Sequence, residues 1–120
     1  MNDYGKLKSG TDIRGRAIAS EGKPAVLTEQ AVSDIASAFA LWISRRTGKT
    51  RCKIAVGRDS RLTGEAFTRT VIAALKYSGL EIFDCGLFST PAAFLTTQFP
   101  SMSADGAIMI TASHHPKDIN

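Results

Sequence analysis

The chain has 120 residues, 43% hydrophobic and 22% charged, the balance of an ordinary globular domain with one core. It holds no stretch of about 18 consecutive apolar residues, so no transmembrane helix and no membrane partner are expected. The net charge of +4 sits on scattered Lys and Arg without basic runs or interleaved aromatics, which suits a phosphorylated small molecule better than nucleic acid.

The N-terminal residues Met1-Asn2-Asp3-Tyr4-Gly5-Lys6 lack an apolar signal core, so a cytoplasmic location is expected. Residues 3–8 read as a lead-in. In Ser9-Gly10-Thr11-Asp12-Ile13-Arg14-Gly15 two glycines bracket polar residues, as in a tight turn that presents side chains. On composition alone, Asp12 and Arg14 could equally pair with each other at the surface. Residues 16–27 are irregular, with a turn at Glu21-Gly22-Lys23-Pro24.

Thr28 is placed to cap a helix whose apolar stripe is Ala31, Val32, Ile35, Ala36, Phe39, Trp42 and Ile43, with Trp42 expected in the core. Arg45 and Arg46 fall in its last turn and Gly48 ends it. Gly48-Lys49-Thr50 is not a phosphate-binding P-loop: the required first glycine would be Ile43, and the segment follows a helix and precedes a strand.

Lys53 to Gly57 reads as a strand, with Arg58-Asp59-Ser60-Arg61 at its carboxyl end. Thr63 is expected to cap a helix running to about Ser78, with Phe67, Val71, Ala74 and Leu75 inward. A strand, a polar turn and a helix N-terminus make a usable anion site, although an Arg58–Asp59 surface pair would explain the turn as well. Glu81 to Cys85 is the next strand. Thr90 is expected to cap a short helix with Pro91 at its first position, ending near Phe99-Pro100. After a polar link over 101–105, Ala107-Ile108-Met109-Ile110 reads as a strand buried on both faces. It runs into Thr111-Ala112-Ser113-His114-His115-Pro116. Cys52 and Cys85 fall in predicted strands and read as reduced, buried thiols.

The order is a helix followed by β-α-β-α-β, which predicts an α/β fold with a parallel-dominated sheet and right-handed crossovers. The loops Arg58–Arg61, Leu87–Pro91 and Thr111–Pro116 should then share the carboxyl edge of the sheet, where such folds bind ligands. Ser113 is the candidate chemical centre. It has no G-x-S-x-G elbow, and His114 is adjacent and expected to point away from it, which argues against a serine hydrolase. A zinc site from His114, His115 and the two cysteines fails because the cysteines lie in strands without C-x-x-C spacing. Phosphoryl transfer through a phosphoserine fits better. It needs cations to balance the added charge, and Arg14 is suited because its fork matches phosphate oxygens.

Thr111-Ala112-Ser113-His114-His115-Pro116 resembles the active-serine loop, usually T-A-S-H-N-P, of the α-D-phosphohexomutases, the family of phosphoglucomutases and phosphomannomutases. Ser9–Gly15 resembles that family's N-terminal loop, Gly57-Arg58-Asp59-Ser60-Arg61 its G-R-D-x-R segment, and Thr90-Pro91-Ala92 its T-P-A turn. Four motifs in the same order are more specific than any one of them. The resemblance implies a three-layer αβα domain with a mostly parallel, mixed sheet, spanning 1–120 as the first of four domains.

It also implies that Ser113 carries a phosphoryl group to and from a hexose phosphate through a bisphosphate intermediate. Arg14 would contact the phosphate. Thr111, Ala112, His114 and His115 would belong to the same loop, and Arg58 and Asp59 would brace it. Mg²⁺ would meet this domain through the phosphate on Ser113, its other ligands coming from a D-G-D-x-D-R loop of the second domain. No such loop occurs here, nor do the sugar and distal-phosphate loops, so the chain is expected to be a piece of a larger enzyme and inactive alone. His115 stands where the family usually has Asn, and the Gly often found between Asp12 and Ile13 is missing. A non-catalytic module of the same fold, binding a sugar phosphate or a partner, is the alternative.

Overall fold

The computed structural model describes residues 2–120; Met1, the first residue of the stretch read for a signal, lies outside them. After a 3-10 turn at Gly5–Leu7, the two-residue strands β1 (Lys8–Ser9) and β2 (Asp12–Ile13) form an antiparallel hairpin. Then come α1 (Glu29–Thr47), β3 (Lys53–Arg58), α2 (Gly64–Tyr77), β4 (Glu81–Leu87), α3 (Thr90–Leu95) and β5 (Gly106–Ile110). The main sheet is parallel with order β4-β3-β5, as the alternation of elements requires. No described helix is long and apolar enough to cross a membrane.

Strand β3 is central because it is the most continuously apolar: Ile54, Ala55, Val56 and Gly57 are all buried. Ile54 and Val56 join the main core with Ala36, Ala40 and Ile43 of α1 and Phe67, Val71 and Leu75 of α2. Their alternate neighbours face the other side, where α3 packs on β5 and β3. The result is a helix–sheet–helix arrangement whose carboxyl edge carries the three predicted loops.

At that edge β3 and β4 shift register between Val56 and Gly57, so that Gly57 pairs with Gly86 and Cys85 is left bulged. The shift brings Phe88 across β3. A Cβ on Gly57 would lie 1.9 Å from the Phe88 ring, so only glycine lets the two elements close.

Several local expectations are corrected. Thr28 does cap α1, accepting from the Ala31 amide at 3.2 Å, and Gly48 ends it at φ 71°. Trp42, however, is 53% exposed. The buried positions of α1 are Ala31, Val32, Ala36, Ala40 and Ile43, and Trp42 lies on the flank of that stripe. It leans on Phe39, with the Arg46 guanidinium 5.6 Å from its ring. Thr63 does not cap α2 with its side chain, because its backbone is already helical; its hydroxyl accepts from Asn120 Nδ2 at 2.8 Å instead.

Ser89, not Thr90, caps α3, which moves Pro91 to the second helical position, and the helix ends at Leu95. β5 is an edge strand, so only Ile110 in it is fully buried, and burial on both faces is not realised. Cys52 is buried, whereas Cys85, on the bulge, is only half-buried.

Gly57→Ala is expected to lower the unfolding free energy by about 2 kcal/mol through overpacking against Phe88. Urea titration of the single variant and of Gly57→Ala/Phe88→Ala tests this: the second change should relieve much of the strain, and two simply additive losses would show that the ring is not the obstacle.

Candidate functional site

The ends of the three parallel strands remain stitched together beyond the sheet. The Asp59 amide donates to the Ile110 carbonyl at 3.1 Å, and the Phe88 amide donates to the Arg58 carbonyl at 3.2 Å. The chain leaving β5 thus starts beside the Arg58–Arg61 turn. Ala112 is fully buried and plugs the loop into the body. Ser113 follows with φ 54°, a left-handed conformation that a serine adopts only when its surroundings impose it.

Those surroundings form a closed ring. The Ser113 amide donates to Thr111 Oγ1 at 3.1 Å. The Thr111 hydroxyl donates to Asp59 Oδ2 at 2.6 Å. The same carboxylate oxygen accepts from Arg61 Nε at 3.2 Å, and Arg61 Nη2 donates to the Ser113 carbonyl at 2.7 Å. Both peptide groups of Ser113 are therefore held while its side chain stays exposed. Arg61 Nη1 also donates to the carbonyls of His115 (2.9 Å), Pro116 (2.8 Å) and Ile119 (3.3 Å). One guanidinium gathers the whole loop.

Arg14 reaches the loop from the other end of the chain. The segment after the β1–β2 hairpin runs against the C-terminal residues: the amides of Gly15 and Asn120 donate to each other's carbonyls at 2.9 and 3.0 Å, and the Ala17 amide donates to the Asp118 carbonyl at 2.6 Å. The Asp118 carboxylate accepts from Ser20 Oγ and Arg16 Nε, and these contacts, the Ser20 hydroxyl first, hold its pKa below the usual carboxylate value. The zipper sets the Arg14 guanidinium against His115, with Nη1 2.9 Å from Nε2. Arginine can only donate, so His115 accepts at Nε2 and carries its proton on Nδ1. Burial first, then Arg14, His114 and Arg61, push the His115 pKa down. The His114 and His115 rings stack at 4.9 Å.

Of the residues singled out in the sequence, Ser113, Thr111, Ala112, His114, His115, Asp59 and Arg14 meet here. His114 does not point away from Ser113. The left-handed turn brings adjacent side chains to the same side, and Nδ1 lies 3.4 Å from Ser113 Oγ. No carboxylate among the described residues orients His114, so the pair is not a hydrolase triad.

Arg58 stands apart. Its guanidinium donates to the Asp59 carbonyl, and its stem approaches Gly64 at the start of α2. The Asp59 carboxylate pairs with Arg61 rather than with Arg58. Asp12 does approach Arg14, but loosely, at 3.7 Å. Arg61 is the residue that sequence reasoning passed over: it stood inside the G-R-D-x-R segment, but four of its acceptors are main-chain carbonyls, which carry no side-chain signal.

Chemically, the loop offers an exposed hydroxyl with an imidazole at hydrogen-bonding range and a guanidinium on the neighbouring His115. That set suits a phosphoryl group. It does not make a cation site: among the described residues no group of three or more His, Cys, Asp or Glu could hold a metal ion, and the Asp59 carboxylate is engaged by Thr111 and Arg61.

Comparison with known proteins gives the family of the fold. A family model described as phosphoglucomutase/phosphomannomutase, alpha/beta/alpha domain I, matches residues 5–120. The chain belongs to that family. A phosphoglucomutase/phosphomannomutase of Thermococcus kodakarensis is 35% identical over 116 residues, covering 97% of this chain and 24% of the relative. A phosphoglucosamine mutase of Corynebacterium jeikeium is 36% identical over 117 residues, covering 97% and 25%. The crystal structure of a phosphoglucomutase/phosphomannomutase family protein from Burkholderia thailandensis superposes over all of this chain and 25% of its own, with TM-score 0.76 and 25% identity. This domain therefore spans about a quarter of the length of the relatives it matches.

Two measurements probe the domain I loop. Arg61→Lys cannot reproduce a fork that serves a carboxylate and four carbonyls, and should cost about 2 kcal/mol. Hydrogen exchange should quicken at residues 113–119 but not in α1; uniform change would show that Arg61 acts on the fold as a whole. NMR titration should place the His115 midpoint below the ordinary value of about 6.5, and Arg14→Ala should raise it. Because the folded value is the lowered one, this contribution to loop stability is complete above about 6.5 and is lost as the pH falls through and below it.

Proposed function

We propose that this domain carries the phosphoserine of a phosphohexomutase and that Ser113 is the phosphoryl carrier. The observation that carries the reading is the Asp59–Arg61 ring, which holds Ser113 in a left-handed backbone with its hydroxyl exposed. In the reaction, phosphoserine gives its phosphoryl group to a free hydroxyl of a hexose monophosphate. The Oγ–P bond breaks as the new O–P bond forms. The bisphosphate turns over in the site, and its other phosphoryl group returns to Ser113, so the phosphoserine is regenerated and the hexose 1- and 6-phosphates interconvert.

Each residue of the cup has a task in this cycle. Arg14 pairs with the phosphoryl oxygens, whose charge spreads in the transition state. His114 Nδ1 is the ring nitrogen within reach of Oγ, placed to supply the proton that Oγ takes as phosphorus leaves and to recover it on return. Thr111, Asp59 and Arg61 hold the backbone, and Arg58 steadies the turn before α2. Magnesium would be held here through the phosphate on Ser113, where it would help neutralise the charge of the transferring phosphoryl group, and its other oxygen ligands would come from elsewhere in the parent protein.

The relatives are named for phosphoglucomutase/phosphomannomutase and phosphoglucosamine mutase, so a hexose or hexosamine phosphate is the substrate class. The choice among these sugars belongs to parts of the parent protein beyond this domain, as does substrate closure, and the parent is read as a four-domain cytoplasmic enzyme.

In the full-length parent protein, Ser113→Ala should abolish interconversion of glucose 1-phosphate and glucose 6-phosphate, or of the corresponding mannose or glucosamine phosphates. The 120-residue chain alone should show no turnover. Retained mutase activity in the Ser113→Ala protein would contradict the carrier role. Unchanged sugar-phosphate affinity with no turnover by the wild type would favour a binding module.

A further inference from the structure

The position at which this chain departs from the usual active-serine loop is also the point where two remote segments touch. Arg14 and His115 are 101 residues apart, and Nη1 to Nε2 is the side-chain hydrogen bond joining Arg14 to the serine loop. The other neighbours of Arg14 leave its guanidinium poorly defined. Asp12 is 3.7 Å away on a side chain 66% exposed, and the Arg14 Nε is buried without a partner among the described residues. The His115 ring, by contrast, is constrained: it stacks on His114, and its own carbonyl is held by Arg61. It therefore ties the Arg61-gathered loop to Arg14, which comes from the N-terminal segment.

We propose that His115 is a positioning residue that aims Arg14 at the phosphoryl group on Ser113. The inference rests on the phosphoserine reading above. The chemistry favours an imidazole here. A carboxylate in its place would hold Arg14 more tightly but would take up the charge that the phosphoryl group needs. A neutral acceptor fixes the direction of the fork and leaves its charge free. Nε2 lies at the far end of the ring, with the reach of a Gln Oε1 rather than that of the shorter Asn found in this place in the usual loop.

The test is a double-mutant cycle in the full-length parent protein, with kcat and KM measured on glucose 1-phosphate or whichever hexose phosphate it turns over. His115→Leu should lower kcat ~10- to 100-fold, the range for misdirecting a catalytic group, with KM little changed. His115→Gln, which restores an acceptor at the same reach, should recover most of the loss. In an Arg14→Ala background His115→Leu should cost nothing more, since there is no guanidinium left to aim. Equal losses in both backgrounds, or a Gln variant no better than Leu, would overturn the proposal.

If the Leu variant does not fold, the Gln variant decides: kcat near wild type supports the positioning role, and a loss as large as that of Arg14→Ala refutes it. Turnover that survives Ser113→Ala removes the phosphoserine reading and this inference together. Turnover lost in Ser113→Ala, with additive losses at Arg14 and His115, removes this inference alone.

Discussion

Asp59 and Arg61 together are the constraint on which the functional edge of this domain depends. Asp59 stands one residue beyond β3, and its carboxylate takes a hydroxyl from the strand β5 side and a guanidinium from the turn leading to α2. Arg61, so oriented, faces the carbonyls of Ser113, His115, Pro116 and Ile119. Without that partner the loop after β5 would present several main-chain acceptors to solvent and a serine in a disfavoured backbone region. With it, the main chain of the loop is held and the serine hydroxyl stays exposed beside His114 Nδ1. The sheet serves the same end: the bulge at Cys85 and the Gly57–Phe88 closure set the heights from which the two loops depart.

The second half of the cup comes from the chain termini. Residues 15–18 and 118–120 zip together through backbone hydrogen bonds, and Asn120 also ties to Thr63 at the start of α2. Arg14 thereby reaches the loop from a flank that the sheet does not cover. Two guanidinium groups thus meet the serine loop, Arg61 committed to its main chain and Arg14 resting on His115. The net charge of +4 on the chain as a whole is consistent with an acidic small ligand.

Much of this was legible in the residues. The apolar periods of α1, α2, β3 and β5 gave the β-α-β-α-β order, and four motifs pointed to one family and to the loops that meet. What was not legible has identifiable causes. Apart from the Asp59 carboxylate, the acceptors of Arg61 are main-chain carbonyls, so little in the side-chain pattern marked it above Arg58, and the two arginines exchanged importance. Ser89 and Thr90 are adjacent hydroxyl residues, either of which fits a cap, and only the backbone entering α3 distinguishes them. Trp42 matched the helical spacing but lies at the edge of the stripe, where a large ring can lie flat beneath Arg46. His114 was expected to point away because it is adjacent to Ser113, and the left-handed turn at Ser113 brings the two side chains to the same side.

The most direct test of the account is to locate the phosphoryl group. The full-length parent protein would be incubated with a hexose bisphosphate labelled in its phosphates, digested, and the label mapped by peptide mass spectrometry. Label on Ser113 that is lost on adding unlabelled hexose monophosphate is the predicted result. Turnover without label on Ser113, or with label on another residue, would contradict it.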